Sequence, residues 1–243
     1  MRLPRFYTTQ ALASGQSVQL EPAASHHLLR VLRVQGGESV ILFNGDGREY
    51  RAVVEPAEGK LARLTVIRAD QVECESPLRI SLGQGVSRGE RMDFVMQKAV
   101  ELGVTTLTPL WTRRSQVRLS GQRLDKRLRH WQGIVQAACE QSGRVVLPEL
   151  QAASALNDWL KVASADTVRL VLDPDADTTL QALQRPVQVR VLIGPEGGLE
   201  KQEVETAVAA GFQRVRLGTR ILRTETAALA TLAALQTLWG DFA

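Results

Sequence analysis

The chain lacks several features that would each have pointed to a function. Only two cysteines, Cys74 and Cys139, occur in 243 residues. That is too few for a disulfide framework or a thiolate zinc site, so both read as packing residues of a reducing compartment. Its three histidines, His26, His27 and His130, show no HxH or HxxxH spacing, and metal dependence is not expected. Nowhere do 18 apolar residues run together, and no apolar stretch suited to a signal peptide follows Met1. No membrane contact is expected, and the cytoplasm is the expected compartment. There is no internal repeat and no low-complexity tract. A Walker A loop and a dinucleotide fingerprint are also missing, which excludes the commonest phosphate cradles. The net charge of +4, from 30 Lys+Arg against 26 Asp+Glu, says little until one asks where the charges sit.

What is present is concentrated in the C-terminal third. The apolar run 189–193 breaks into Gly194-Pro195-Glu196-Gly197-Gly198, and residues 200–210 carry Val204, Ala207 and Val208 at helical spacing. Strand, glycine loop and helix in succession make a ligand site. Glu196 inside the loop argues against a phosphate ligand and favours one that is neutral or cationic. A tight strand-to-helix turn is the alternative reading of one such loop. The pattern recurs, however: a short strand at 214–217 ends at Gly218, and 220–227 leads into an apolar helix closing at Trp239. Two such strand ends form one pocket if the strands lie side by side, because open α/β sheets bind ligands beyond their strand C-termini.

The first 70 residues predict a small β domain. Strands are expected at 39–43, 49–54 and 61–67, with Asn44-Gly45-Asp46-Gly47 as a hairpin signal. Before them, residues 25–33 predict a short helix with Ser25 at its N-cap and Gly36-Gly37 soon after its end. In that helix His26, Arg30 and Arg33 share one face while Leu28, Val31 and Leu32 pack the other. The basic face reads either as a solvated stripe or as a phosphate-contacting surface. A polar stretch at 71–78, with Pro77, is the expected linker. From 79 onward strands (79–86, 107–111, 167–172, 187–193) alternate with helices (90–102, ended by Gly103, and 121–141). That alternation predicts a mainly parallel sheet covered by helices. The core face of the first helix is Met92, Val95, Met96 and Ala99; that of the second is Leu124, Leu128, Trp131, Val135 and Ala138. Seven basic residues (Arg113, Arg114, Arg118, Arg123, Lys126, Arg127, Arg129) face one acid, Asp125, between 113 and 129. Seven against one favours a polyanionic partner over a merely solvated face. Trp111 and Trp131 read as core residues in preference to base-stacking ones.

These residues carry a resemblance. His26-His27-Leu28 through Val31-Leu32-Arg33, Gly45-Asp46-Gly47, Gln97-Lys98-Ala99-Val100-Glu101-Leu102-Gly103-Val104 and Glu140-Gln141-Ser142-Gly143-Arg144 come first in order. Ile193-Gly194-Pro195-Glu196-Gly197-Gly198 and Leu217-Gly218-Thr219-Arg220-Ile221-Leu222-Arg223-Thr224-Glu225-Thr226-Ala227 follow. Together they resemble the ribosomal RNA small subunit methyltransferase E family of the SPOUT superfamily over almost the whole chain.

The resemblance implies an α/β fold: a SPOUT-type, mainly parallel sheet with a C-terminal trefoil knot (79–243), preceded by a PUA-like β-barrel domain that binds RNA (1–70). It implies a homodimer that moves a methyl group from S-adenosylmethionine to N3 of a uridine in 16S ribosomal RNA of the small subunit. By the family's pattern Leu172, Ile193, Gly194, Pro195, Gly197, Gly198, Leu217, Gly218, Ile221 and Leu222 line the cofactor pocket. Uridine N3 carries a proton at neutral pH, so transfer calls for a base or for a cation that stabilises charge developing on the uracil oxygens. Arg223 is the candidate cation, and Glu196 or Glu225 the proton acceptor. Alternatively Arg223 pairs with Glu225, and Glu225 caps the terminal helix, where Thr224 resembles an N-cap. Arg30, Arg33, Arg113, Arg114 and Arg144 are the candidates for holding RNA phosphates. Two competing functions are a ribose 2′-hydroxyl methyltransferase of the same superfamily and a non-catalytic ribosome-assembly protein.

Overall fold

A computed structural model describes residues 3–56, 59–116, 118–162 and 167–242. The chain forms two compact units, one of Met1–Glu75 with Cys139–Leu147, the other of Ser76–Ala138 with Pro148–Ala243.

In the first unit the strands are β1 (Arg5–Tyr7), β2 (Ser17–Gln19), β3 (Ser39–Phe43), β4 (Arg48–Val54) and β5 (Arg63–Gln71), in the spatial order β1-β3-β4-β5-β2. The sheet curls into a half-barrel. Alternate residues point inward, as a period of two demands. Val40 and Leu42, Tyr50, Ala52 and Val54, and Leu64 and Val66 therefore share one core with Phe6, Val18, Leu20 and Leu28. The 44–47 hairpin forms as its sequence predicts, with Gly45 and Gly47 at φ +96° and +87°.

The helical segment differs from expectation. Helix α1 (Pro22–His26) starts before Ser25, because Pro22 already supplies a pre-set first helical position. Ser25 is therefore inside the helix and buried, donating to Leu20 O (3.0 Å) and accepting from Ala62 N (3.0 Å). After α1 the chain widens into a π-helical turn at His27–Val31, and Arg33 lies beyond it at φ +55°. His26, Arg30 and Arg33 thus do not form one helical stripe. Leu28 is fully buried, but Val31 and Leu32 are 60% and 44% exposed instead of packing the opposite face.

Residues 139–147 belong to this unit through polar contacts. Arg5 pairs with Glu49 and donates to the carbonyls of Gly143 (3.2 Å) and Arg144 (3.1 Å), while Tyr7 N donates to Glu140 (3.0 Å). Arg144 is only 6% exposed and binds Glu75 through Nε (3.0 Å) and Nη2 (2.6 Å). Of the residues expected to grip RNA phosphates, Arg144 is thus buried in a structural ion pair.

The second unit contains β6 (Arg79–Gly85), α2 (Glu90–Glu101), β7 (Thr106–Trp111), α3 (Gly121–Ser142, whose end lies in the first unit), β8 (Glu149–Leu150) and β9 (Ser154–Ala155). It continues with α4 (Leu156–Lys161), β10 (Thr167–Leu172), β11 (Gln188–Ile193), α5 (Lys201–Ala209), β12 (Gln213–Val215) and α6 (Thr224–Trp239). The sheet runs β12-β10-β11-β6-β7-β8, with β9 also on β7, and every pairing is parallel. β11 is buried from Val189 to Ile193, the near-continuous apolar strand of a sheet covered on both faces. On α2 the expected residues Met92, Val95, Met96 and Ala99 are buried. Trp131 is buried as well, its ring N–H donating to Asp93 (2.9 Å). Helix α6 packs on α2, fixed by Gln236, which donates to Leu102 O (2.9 Å) and accepts from Ser76 (2.7 Å). No helix among the described residues is long and apolar enough to cross a membrane.

Removing one partner of a buried pair leaves the other uncompensated. Arg144→Ala is expected to cost about 2 kcal/mol, discounted from the fully buried case because Glu75 keeps some contact with water. A urea midpoint equal to the parent's would refute this.

Candidate active site

Three strand ends meet at one cavity. β10 lies between β11 and β12, so the strands carrying the two glycine loops are not adjacent; they share a neighbour. Val171 is level with Leu192 on one side and Arg214 on the other. The chain leaving Leu172, Ile193 and Val215 therefore emerges at the same edge. There it encloses a cavity of about 350 Å3 lined by all ten residues marked in the sequence, Leu172, Ile193, Gly194, Pro195, Gly197, Gly198, Leu217, Gly218, Ile221 and Leu222. Glu196 lines it too, with Asp173, Asp175, Arg216, Arg220, Thr224 and others that the sequence did not assign to the pocket. Ile221 is 87% exposed, an apolar side chain left in water at the cavity wall.

The loop is held from two sides. Thr224 Oγ1 donates to Gly194 O (2.6 Å), and Gln84 Nε2 donates to Thr224 Oγ1 (2.9 Å) and to Gly194 O (3.3 Å). Thr224 was expected to cap α6. The N-cap is Arg223 instead, and Thr224, the first helical residue, turns its hydroxyl to the loop. The end of β6 approaches so closely that a Cβ on Gly85 would sit 2.5 Å from Pro195 N. Only glycine fits there. Gly194 is under the same constraint, since a Cβ there would come within 2.9 Å of Gly198 C. Arg114 Nη1 donates to Gly197 O (2.8 Å), tying a third segment to the loop.

Both carboxylates considered as proton acceptors lie against one guanidinium. Glu196 accepts from Arg88 N (2.8 Å) and Arg91 Nη1 (3.1 Å), and Arg91 Nε stands 3.9 Å from Glu225 Oε1. Arg91 escaped notice because in the sequence it is merely a polar position on an amphipathic helix. Burial pushes the Glu196 carboxyl up, but the hydrogen bonds from the Arg88 amide and its own amide, and the Arg91 cation, outweigh it. The net effect holds Glu196 below the ordinary carboxylate range. Glu196 Oε2 and Glu225 Oε2 are buried without a hydrogen-bond partner among the described residues. Arg223 is exposed at the N-cap of α6, and no ion pair with Glu225 forms. Neither Arg223 nor Glu225 lines the cavity; they flank Thr224, which does. Among the described residues no group of three or more His, Cys, Asp or Glu is placed to hold a metal ion.

The expected phosphate contacts separate. Arg30 and Arg33 are exposed in the first unit. In the second, Arg113 pairs with Glu200 (3.3 Å) while its amide donates to Glu203 (2.8 Å). Arg118, Arg123, Lys126 and Arg129 are exposed and make no ion pair among the described residues.

Residues 74–236 match the model of an RNA methyltransferase domain, and residues 20–67 that of an RNA methyltransferase PUA domain. The chain is 34% identical over 241 residues to the ribosomal RNA small subunit methyltransferase E of Buchnera aphidicola subsp. Schizaphis graminum, covering 99% of this chain and 98% of that one. The protein of that name from Bacillus subtilis is 27% identical over 237 residues, 94% of this chain and 93% of its own. Among solved structures, a ribosomal RNA small subunit methyltransferase E from Neisseria gonorrhoeae, bound to S-adenosyl methionine, superposes with a TM-score of 0.94 at 42% identity, covering 100% of both chains.

A carboxyl held below its ordinary range stabilises the fold above the unfolded-state pKa, and that contribution is lost as pH falls through the folded one. Acidification from pH 6 to pH 3 is therefore expected to lower the thermal midpoint of the parent more than that of Glu196→Gln. Parallel curves would show that Glu196 carries no such linkage.

Proposed function

The chain belongs to the ribosomal RNA small subunit methyltransferase E family, and from that premise we propose that it transfers a methyl group from S-adenosylmethionine to N3 of a uridine in 16S ribosomal RNA. The observation that carries the reading is the convergence of the 193–198 and 215–222 bends on one cavity at the strand C-termini. With it go the family's homodimer, its knotted C-terminal segment and a cytoplasmic setting.

The cavity suits this cofactor. Its walls combine main chain and apolar side chains with the polar side chains of Asp173, Asp175, Glu196, Arg216, Arg220 and Thr224. Three carboxylates against two guanidiniums in that lining suit a ligand carrying positive charge. The ten lining residues already marked would hold the adenosine and methionine parts. When bound, S-adenosylmethionine supplies an electrophilic methyl on a cationic sulfur.

The chain's own residues then have separable tasks. Uridine N3 is a poor nucleophile until its proton leaves, and the charge left behind spreads to the uracil oxygens. Arg223, exposed beside Thr224 and without an ion pair among the described residues, stabilises that charge. Glu196 is already engaged by the Arg88 amide and by Arg91, which hold its charged form. We therefore assign proton acceptance to Glu225 and keep Glu196 as an anchor of the loop. Arg30, Arg33 and Arg113 hold phosphates of the RNA, while Arg114 steadies Gly197 as well.

The deciding experiment incubates the protein with labelled cofactor and small subunits lacking the modification, then identifies the methylated nucleoside. Methyl on a ribose oxygen, or no cofactor binding by calorimetry, would overturn the reading. Arg223→Ala is expected to lower kcat by about 100-fold or more with cofactor affinity preserved. A near-normal rate would remove Arg223 from the mechanism.

A further inference from the structure

A second cavity, of about 190 Å3, opens beside helix α5. Its walls come from Trp111 at the end of β7, the loop residues Arg113 and Arg118, Asn157 at the start of α4, and Gln202 and Glu203 on α5. None of these residues touches the first cavity, and Trp111, Arg118, Asn157 and Gln202 have no part in the chemistry described so far.

We propose that this cavity receives a single nucleotide of the RNA substrate, a neighbour in the strand of the one that is methylated. The proposal rests on the reading of the chain as an RNA methyltransferase and adds a recognition site to it.

Placement is the first argument. Trp111 and Ala155 are the last residues of β7 and β9, so the second cavity opens on the same C-terminal edge of the sheet as the first. Helix α5 has residues in both: Val204 lines one, and Gln202, Glu203 and Thr206 line the other. A strand of RNA laid across the start of α5 reaches both. The loop after β7 joins them as well, since Arg113 lines the second cavity while its neighbour Arg114 donates to Gly197 O at the first.

Chemistry is the second. A nucleotide offers a flat π face, hydrogen-bonding edges and a phosphate. Trp111, half-buried, supplies an aromatic ring. The side-chain amides of Asn157 and Gln202 are exposed and have no hydrogen-bond partner among the described residues, and each presents both donors and an acceptor. Arg118 is exposed without an ion pair among the described residues. The one acid in the wall, Glu203, does not repel a phosphate freely, because its two carboxylate oxygens accept from the amides of Arg113 (2.8 Å) and Glu200 (2.9 Å). With a single acid the cavity is no metal site, and seven polar or charged side chains make it a poor home for an apolar ligand. Its size admits one base and excludes a duplex. Stacking on an aromatic ring with a cation for the backbone is the usual manner of gripping single strands.

The test uses the full chain, S-adenosylmethionine and unmethylated small subunits, with the variants Trp111→Leu, Trp111→Phe, Arg118→Ala and Asn157→Ala. Loss of the π face in Trp111→Leu is expected to raise KM for the subunits about tenfold, the usual scale of one base–aromatic stack, while Trp111→Phe largely restores it. Arg118→Ala is expected to reduce the slope of log affinity against log salt by about one. Asn157→Ala should raise KM without changing kcat. Cofactor affinity, read by calorimetry, should stay at the parent's value throughout. Parent-like KM and salt slope in Trp111→Leu and Arg118→Ala together would overturn the subsite. So would a Trp111→Leu protein that loses cofactor binding while Arg118→Ala stays inert, since Trp111 would then be only a wall of the fold. An active parent with inert variants removes the subsite alone, whereas a parent that methylates no RNA removes the functional reading and the subsite with it.

Discussion

The carbonyl oxygen of Gly194 is the point on which the site depends. It accepts the Thr224 hydroxyl and the Gln84 amide, so the end of β11, the start of α6 and the end of β6 are fixed by one small cluster. Gln84 and Thr224 are buried, and each hydrogen bond there is worth about 1 kcal/mol net, with a larger cost if a partner is left unmade. Gly85 permits this closeness. Any side chain at that position would press on Pro195, and the loop would lift away from the strand that supports it.

Charge is organised around the same loop. In the sequence Glu196 is an acid inside a glycine bend, which disfavours a phosphate there. Folded, it ties the bend to Arg88 and Arg91, and Arg91 brings Glu225 into the same electrostatic neighbourhood. The basic segment 113–129 is less uniform than its sequence suggests. Arg113 and Arg114 turn toward Glu200 and Gly197, Arg127 toward Asp93, and the remainder is exposed without an ion pair among the described residues. A run of like charges in sequence thus divides into residues that build the site and residues exposed to solvent.

In the first unit a π-helical turn and the left-handed Arg33 redirect Arg30 and Arg33. Strained or widened backbone of this kind persists where surrounding structure enforces it. Here the half-barrel core takes Leu28 and leaves Val31 and Leu32 in water.

Much was legible beforehand. Strand and helix periods fixed the β-rich start, the alternating second part and the parallel sheet, because side-chain direction follows directly from local geometry. The glycine loops were legible as well, since bends closed to other residues announce themselves by composition. What only the folded chain decided is which distant residues meet. Placing β10 between the two loop-bearing strands, turning Thr224 toward Gly194, burying Arg144 on Glu75 and setting Arg91 between two glutamates all join positions far apart in sequence. Local pattern fixes what a residue can offer, whereas its partner is chosen by long-range packing, which no spacing along the chain encodes.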